Sequence, residues 1–229
     1  MPPDLATIAD PTFVLIAWSA GLAFSVAFIS FARIVGPGYT WLAGGVAFAV
    51  GLPPALAEGA WWGRGGLLSV GLALVWARNR PFAGVLLLAG GIAMLIEGSL
   101  LGGNIPAASA ALALGGVTGE MVLGHWYLID PRTPRWALKS LAGAAVVGLI
   151  ADSLVLSIGI GFPDGGAQWA YWLLAVSSVV LMAGVLGSLR QPAYSGVMAA
   201  TGLSYLAVLT TLGAVFMGRA LAIGLGPFA

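Results

Sequence analysis

The sequence predicts an all-α protein: a polytopic integral membrane bundle of about eight transmembrane helices, with very short loops and both termini on the non-cytoplasmic side. Three observations carry this. Of the 229 residues, 60% are hydrophobic and 7% are charged, whereas soluble domains carry about 25% charged residues. With a mean hydropathy of +1.01, too little polar sequence remains to cover a water-facing surface. Apolar runs of about 18 residues or more recur from Thr12 to the C-terminus. The positive charges gather at alternate connections between these runs.

The first eleven residues carry Asp4, Asp10 and three prolines but no Lys or Arg. A cleavable leader begins with a positive region, so the first helix is expected to be retained. Residues 1–11 then form a short non-cytoplasmic segment ahead of a single transmembrane domain, 12–229. Spans are expected near 12–32, 40–58, 61–77, 82–102, 107–129, 135–160, 167–189 and 194–217. The second is interrupted. Trp41 to Leu52 covers only about 18 Å at 1.5 Å per residue, short of a hydrocarbon core of roughly 30 Å. It must continue through Pro53-Pro54, where a kink or break is expected. The third span reaches full length only if Trp61, Trp62 and Arg64 belong to it. The fifth and sixth are joined by Asp130-Pro131-Arg132-Thr133-Pro134-Arg135, a rigid turn whose prolines close one helix and open the next.

Arg33, Arg78, Arg80, Arg132, Arg135, Lys139 and Arg190 fall on one side, and only Arg64 and Arg219 on the other. By the positive-inside rule the first side is cytoplasmic. Trp41, Trp76, Trp126 and Trp136 mark inner helix ends, and Trp61, Trp62, Trp169 and Trp172 outer ends. Trp18 alone lies well inside a span. The expected location is a bacterial cytoplasmic membrane. An internal echo, Leu42-Ala43-Gly44-Gly45-Val46-Ala47 against Leu88-Ala89-Gly90-Gly91-Ile92-Ala93, with Leu141-Ala142-Gly143-Ala144 as a weaker copy, would fit duplicated hairpins. The abundance of Leu, Ala and Gly is the stronger explanation.

Several classes are excluded. There is no cysteine, hence no disulfide, thiolate metal site or Cys-ligated cluster. One histidine cannot supply the two imidazoles of a bis-histidine haem, so no cofactor is expected on this chain alone. No HExxH, Walker loop or dinucleotide fingerprint stands in a suitable context, and no metal site is expected. A net charge of +1 without a basic stretch argues against nucleic acid. The partner of the chain is the lipid bilayer, with a homo-oligomer or a larger membrane complex as the further options.

Three acids fall inside spans: Glu97, Glu120 and Asp152. An acid at a helix centre costs about 2.5–3.5 kcal/mol on an insertion scale and usually faces protein or a wet cavity, with a partner. The competing explanation is a structural polar contact between helices, worth roughly 0.6 kcal/mol. Positions i−4 and i−7 share a helix face with i. They are Ala93 and Gly90 behind Glu97, Gly116 and Ala113 behind Glu120, and Gly148 and Ala145 behind Asp152. Such smooth faces allow close helix packing, so all three acids are expected to point into the bundle.

Glu97 and Asp152 fall in the outer half, Glu120 inside the midplane, and His125 near the inner end. The four make a ladder of proton-exchanging groups across the bilayer. Glu120 and His125 are about 140° apart in azimuth and form no adjacent pair; Tyr127, seven residues on, shares the face of Glu120. His125 with Trp126 also suits a headgroup position. Glu58 and Arg64 could pair near the Pro-Pro break.

Two readings remain. One is a small proton- or cation-linked transporter or channel, with Glu97, Glu120, Asp152 and His125 as relay and the Pro53-Pro54 break permitting gating. The other is a non-haem anchor subunit of a respiratory or redox complex. Its quinone would sit near Glu120, His125, Trp126 and Tyr127. Neither reading makes the chain an enzyme on its own. The weight of three intramembrane acids favours transport.

Overall fold

The computed structural model describes residues 11–57, 59–131, 133–159 and 166–222. Among them are eight helices and no strand: α1 (Pro11–Ala32), α2 (Pro37–Ala55), α3 (Trp61–Val75), α4 (Arg80–Gly102), α5 (Asn104–Ile129), α6 (Arg135–Gly159), α7 (Gly166–Ser188) and α8 (Tyr194–Ala222). In a bilayer every backbone polar group must be satisfied within the chain, and helices joined by short turns do this. Six of the eight, α1 and α4 to α8, are long and apolar enough to cross a membrane. The 15 residues of α3 rise about 22 Å, and α2 carries two prolines at its end. The chain is a helical membrane bundle.

The boundaries follow local chemistry. Pro37 and Pro81 occupy first-turn positions of α2 and α4, where a missing N–H costs nothing. The expected continuation of α2 to residue 58 is corrected: it starts three residues earlier than expected and ends at Ala55. Pro53 and Pro54 lie in its last turn, where they terminate the helix instead of kinking its middle. The eighth helix was expected to stop at 217 and continues to Ala222, which brings Arg219 inside. A single residue, Gly103, joins α4 to α5 with φ +89°, a backbone region that favours glycine.

The helices form two rings of the same connectivity. In the first, α1 packs on α2 and α4, and α3 on α2 and α4; in the second, α5 packs on α6 and α8, and α7 on α6 and α8. The rings share the α1–α5 seam. There Gly21 and Gly115 meet backbone to backbone, and a side chain on either would strike the other helix. Trp18 Nε1 donates to Thr118 Oγ1 across this seam at 2.9 Å, and Ser25 Oγ to the Gly115 carbonyl at 2.9 Å. Of the echoing segments, those in α2 and α6 hold equivalent places in the two rings, and that in α4 does not.

The small faces behind the acids are contact surfaces. Gly116 packs on Ala145, and Gly148 on Ala113, so the faces behind Glu120 and Asp152 lie against each other. Gly90 packs on Gly66 of α3. Leu68, Leu72, Leu100, Ile158, Leu173, Val180 and Leu209 are exposed on the outside of the bundle, as side chains facing lipid are.

Candidate functional site

The three intramembrane acids are all buried, but their surroundings differ in kind. Glu97 is held by an element end. Its Oε2 accepts the backbone N–H of Gly63 at 3.1 Å, in the first turn of α3. That turn has no intrahelical acceptor for its N–H groups and carries a partial positive charge. Glu97 therefore caps a short helix from a neighbouring one. Nearby, Arg64 donates to the carbonyls of Ala55 and Ala57 at 3.0 and 3.1 Å and lies over the Trp61 ring. Glu58, its expected partner, lies outside the described residues, as do Arg132 and Asp164.

Asp152 is neutralised by a residue that sequence reasoning left in an outer loop. Arg219, 0% exposed, donates from Nη2 to Oδ1 at 2.7 Å and from Nη1 to Oδ2 at 3.0 Å. Ser109 Oγ donates to Oδ1 at 2.7 Å. The guanidinium also reaches the carbonyls of Val215 and Pro106 and lies over the Phe13 ring. Two-point pairing of this kind is the strong geometry for a guanidinium and a carboxylate. It closes the second ring at the end where α5 begins.

Glu120, 0% exposed, is the one acid among the described residues with a fully buried oxygen that has no hydrogen-bond partner, Oε1. Its Oε2 is hydrogen-bonded to Ser204 Oγ of α8. Ser204 Oγ also lies 2.9 Å from the Ala200 carbonyl. A hydroxyl has a single proton to give. With Glu120 protonated, its O–H donates to Ser204, which in turn donates to Ala200. With Glu120 ionised, Ser204 turns its proton to the carboxylate. The pair is thus built to accommodate both states by rotation of one hydroxyl. The hydroxyl of Tyr39 in α2 is likewise buried without a partner.

Four buried polar residues stud the otherwise apolar α8 face that meets α5. Thr201, Ser204, Thr211 and Arg219 are all buried and fall within an arc of about 80° at 100° per residue. Thr201 packs on Gly124, Ser204 on Glu120, and Arg219 on the Ser109–Asp152 pair. Thr211 Oγ1, between them, has no hydrogen-bond partner. Glu120 and Ser109 are separated by about 16 Å along α5.

The remaining expected site residues do not converge on Glu120. His125 is exposed, with Nδ1 3.4 Å from the Tyr205 hydroxyl. Trp126 packs edge-on to Tyr39. Tyr127, on the same helix face as Glu120 and buried like it, accepts a hydrogen bond from Arg135 Nε at 3.4 Å and stacks on Tyr194. Arg135 further clamps the carbonyls of Gln191, Pro192 and Ala193, so this cluster is a lock on the α7–α8 turn. Pro53 and Pro54 lie at the end of α2, away from this seam. No cluster of His, Asp or Glu suited to a metal ion occurs among the described residues.

Fold and site together define the class: an integral membrane helical bundle with an acid buried at the seam between helices. Compared with known protein families, curated proteins and solved structures, the chain finds no match in any of the three.

Proposed function

We propose that this chain is a small proton- or cation-linked transporter or channel of a bacterial cytoplasmic membrane, with Glu120 as the group that takes up and releases the ion. The observation that carries this reading is the half-satisfied carboxyl: Oε1 of Glu120 is buried and free, while Oε2 is held by a hydroxyl that can serve either protonation state. A purely structural acid is expected to look like Asp152, with both oxygens engaged by a cation. The buried hydroxyls of Ser204 and Thr211 supply polar stations along the α5–α8 seam, far enough apart that water must link them. Asp152 with Arg219 forms the outer end of that line, and His125 with Tyr205 stands near the inner end. Glu97 has a different part, in holding α3.

The test is flux. The purified full chain would be reconstituted in vesicles holding a pH-sensitive dye, and proton entry followed under an imposed potential. Glu120→Gln, which keeps the size and the contact to Ser204, is expected to abolish flux while the protein stays folded. Undiminished flux would remove Glu120 from the mechanism. The anchor-subunit reading predicts instead that the chain leaves its native membrane with stoichiometric redox partners, and that Glu120→Gln alters quinone turnover by the assembly.

A further inference from the structure

At the inner end of the first ring, the α1–α2 and α3–α4 turns border an open cleft of about 850 Å³. Arg33, Arg78 and Arg80 line it, with Trp76, Asn79 and Val75. No acid lines it. The positive-inside rule explains why arginines stand on this face, but it does not bring them to one cleft. Arg135, on the same face, spends its guanidinium on the carbonyls of the α7–α8 turn. Arg80 Nη1 likewise donates to a main-chain carbonyl, that of Arg33, at 2.9 Å, which ties the start of α4 to the α1–α2 turn and leaves Arg33 and Arg78 at the cleft. Arg33 itself has φ +56°, the left-handed conformation with which helices commonly end, and its N–H closes the last turn of α1 on the Ser30 carbonyl. Among the described residues, nothing that lines the cleft offsets these positive charges, which leaves it electropositive.

The rim gives the chemistry of that anion. Val75, Trp76 and Phe82 are exposed beside the cleft, and Trp76 packs edge-on to Phe82. Trp41, one turn into α2, donates from Nε1 to the Leu74 carbonyl at 2.7 Å, which fixes the end of α3 at headgroup depth. An aromatic belt of this kind sits where acyl chains meet headgroups. Arginines match phosphate oxygens in two-point geometry, and basic pockets between transmembrane helices on the inner side suit anionic headgroups.

We propose that the Arg33–Arg78–Arg80 cleft is a binding site for a phosphate-bearing anion, with the phosphodiester of an anionic phospholipid as its occupant. A free phosphate shares the recognition chemistry. The site is independent of the transport reading, because it lies in the other ring from Glu120 and Ser204.

The experiment is a titration of the full chain in neutral detergent, followed by its thermal unfolding midpoint. The probes are short-chain phosphatidylglycerol, short-chain phosphatidylcholine and inorganic phosphate. Phosphatidylglycerol is expected to raise the midpoint saturably and phosphatidylcholine to leave it in place. Arg78→Gln is expected to weaken half-saturation about fivefold, and the double change Arg33→Gln with Arg78→Gln about 25-fold. Arg190→Gln, an exposed arginine on the same face, should leave the titration unchanged. Saturation by inorganic phosphate alone, with the same dependence on Arg78, would keep the site and assign it a soluble occupant. The proposal falls if none of the probes acts, if the double variant binds as the unaltered chain does, or if Arg190→Gln weakens binding equally.

Discussion

At the scale of single residues, Asp152 and Arg219 bury opposite charges against each other in the outer half of the second ring. Such a pair contributes little over an apolar pair of the same volume, but losing one member strands the other. Asp152→Asn is therefore expected to lower stability by about 3–5 kcal/mol, and Asp152→Leu with Arg219→Met to recover most of that loss. Denaturant unfolding of the detergent-solubilised chain would check both. If the double variant is as unstable as the single one, the pair has a role beyond neutralisation. The acid of this pair was legible in the sequence as a charge inside an apolar run. The base was not, because the apolar pattern weakens after residue 217 and Arg219 then reads as a loop anchor. The signal that could have found it is its spacing: Thr201, Ser204, Thr211 and Arg219 share one helical face, which a loop residue has no reason to do. For Ser204 there was no signal, since a serine in a transmembrane helix commonly bonds its own i−4 carbonyl.

At the scale of elements, hydropathy located all eight helices, since burial of the backbone from lipid forces a helix wherever apolar sequence is long enough. The errors lie at ends, where prolines and single charges compete. Packing depends on finer chemistry. Gly115 allows α1 and α5 to touch backbone to backbone, whereas Gly143 of α6 has nothing near the position of an added methyl group. Gly115→Ala is expected to cost about 1–3 kcal/mol through overpacking. Gly143→Ala should be neutral or stabilising by up to about 1 kcal/mol through helix propensity. Equal unfolding midpoints for the two variants would show that the α1–α5 seam yields easily. Composition hid this distinction, because 35 glycines look alike until their neighbours are known.

At the scale of the whole molecule, the sequence made the membrane bundle plain and left its arrangement in two rings hidden. The order of helices along the chain says nothing about which seam is shared. The orientation rests on the arginines, and the chain lends itself to a direct test because it has no cysteine. Single cysteines at Asn79 and Asn104, both exposed, report opposite faces. An impermeant thiol reagent added outside intact cells is expected to label Asn104→Cys and to spare Asn79→Cys. The reverse pattern would invert the topology and place the arginine cleft outside.

A single residue, Gly103, joins α4 to α5, so the chain links the two rings at one end of the bundle. A sheet folded along one edge moves least at the crease and most at the free margin. Here the margin is not free, because Gly21 and Gly115 close the α1–α5 seam backbone to backbone and Trp18 and Ser25 bond across it. Glu120 and Ser204 belong to the same ring, and Tyr39 belongs to the other. The hydrogen bond between Ser204 and Glu120 therefore does not cross the crease, whereas any approach of Tyr39 to Glu120 does.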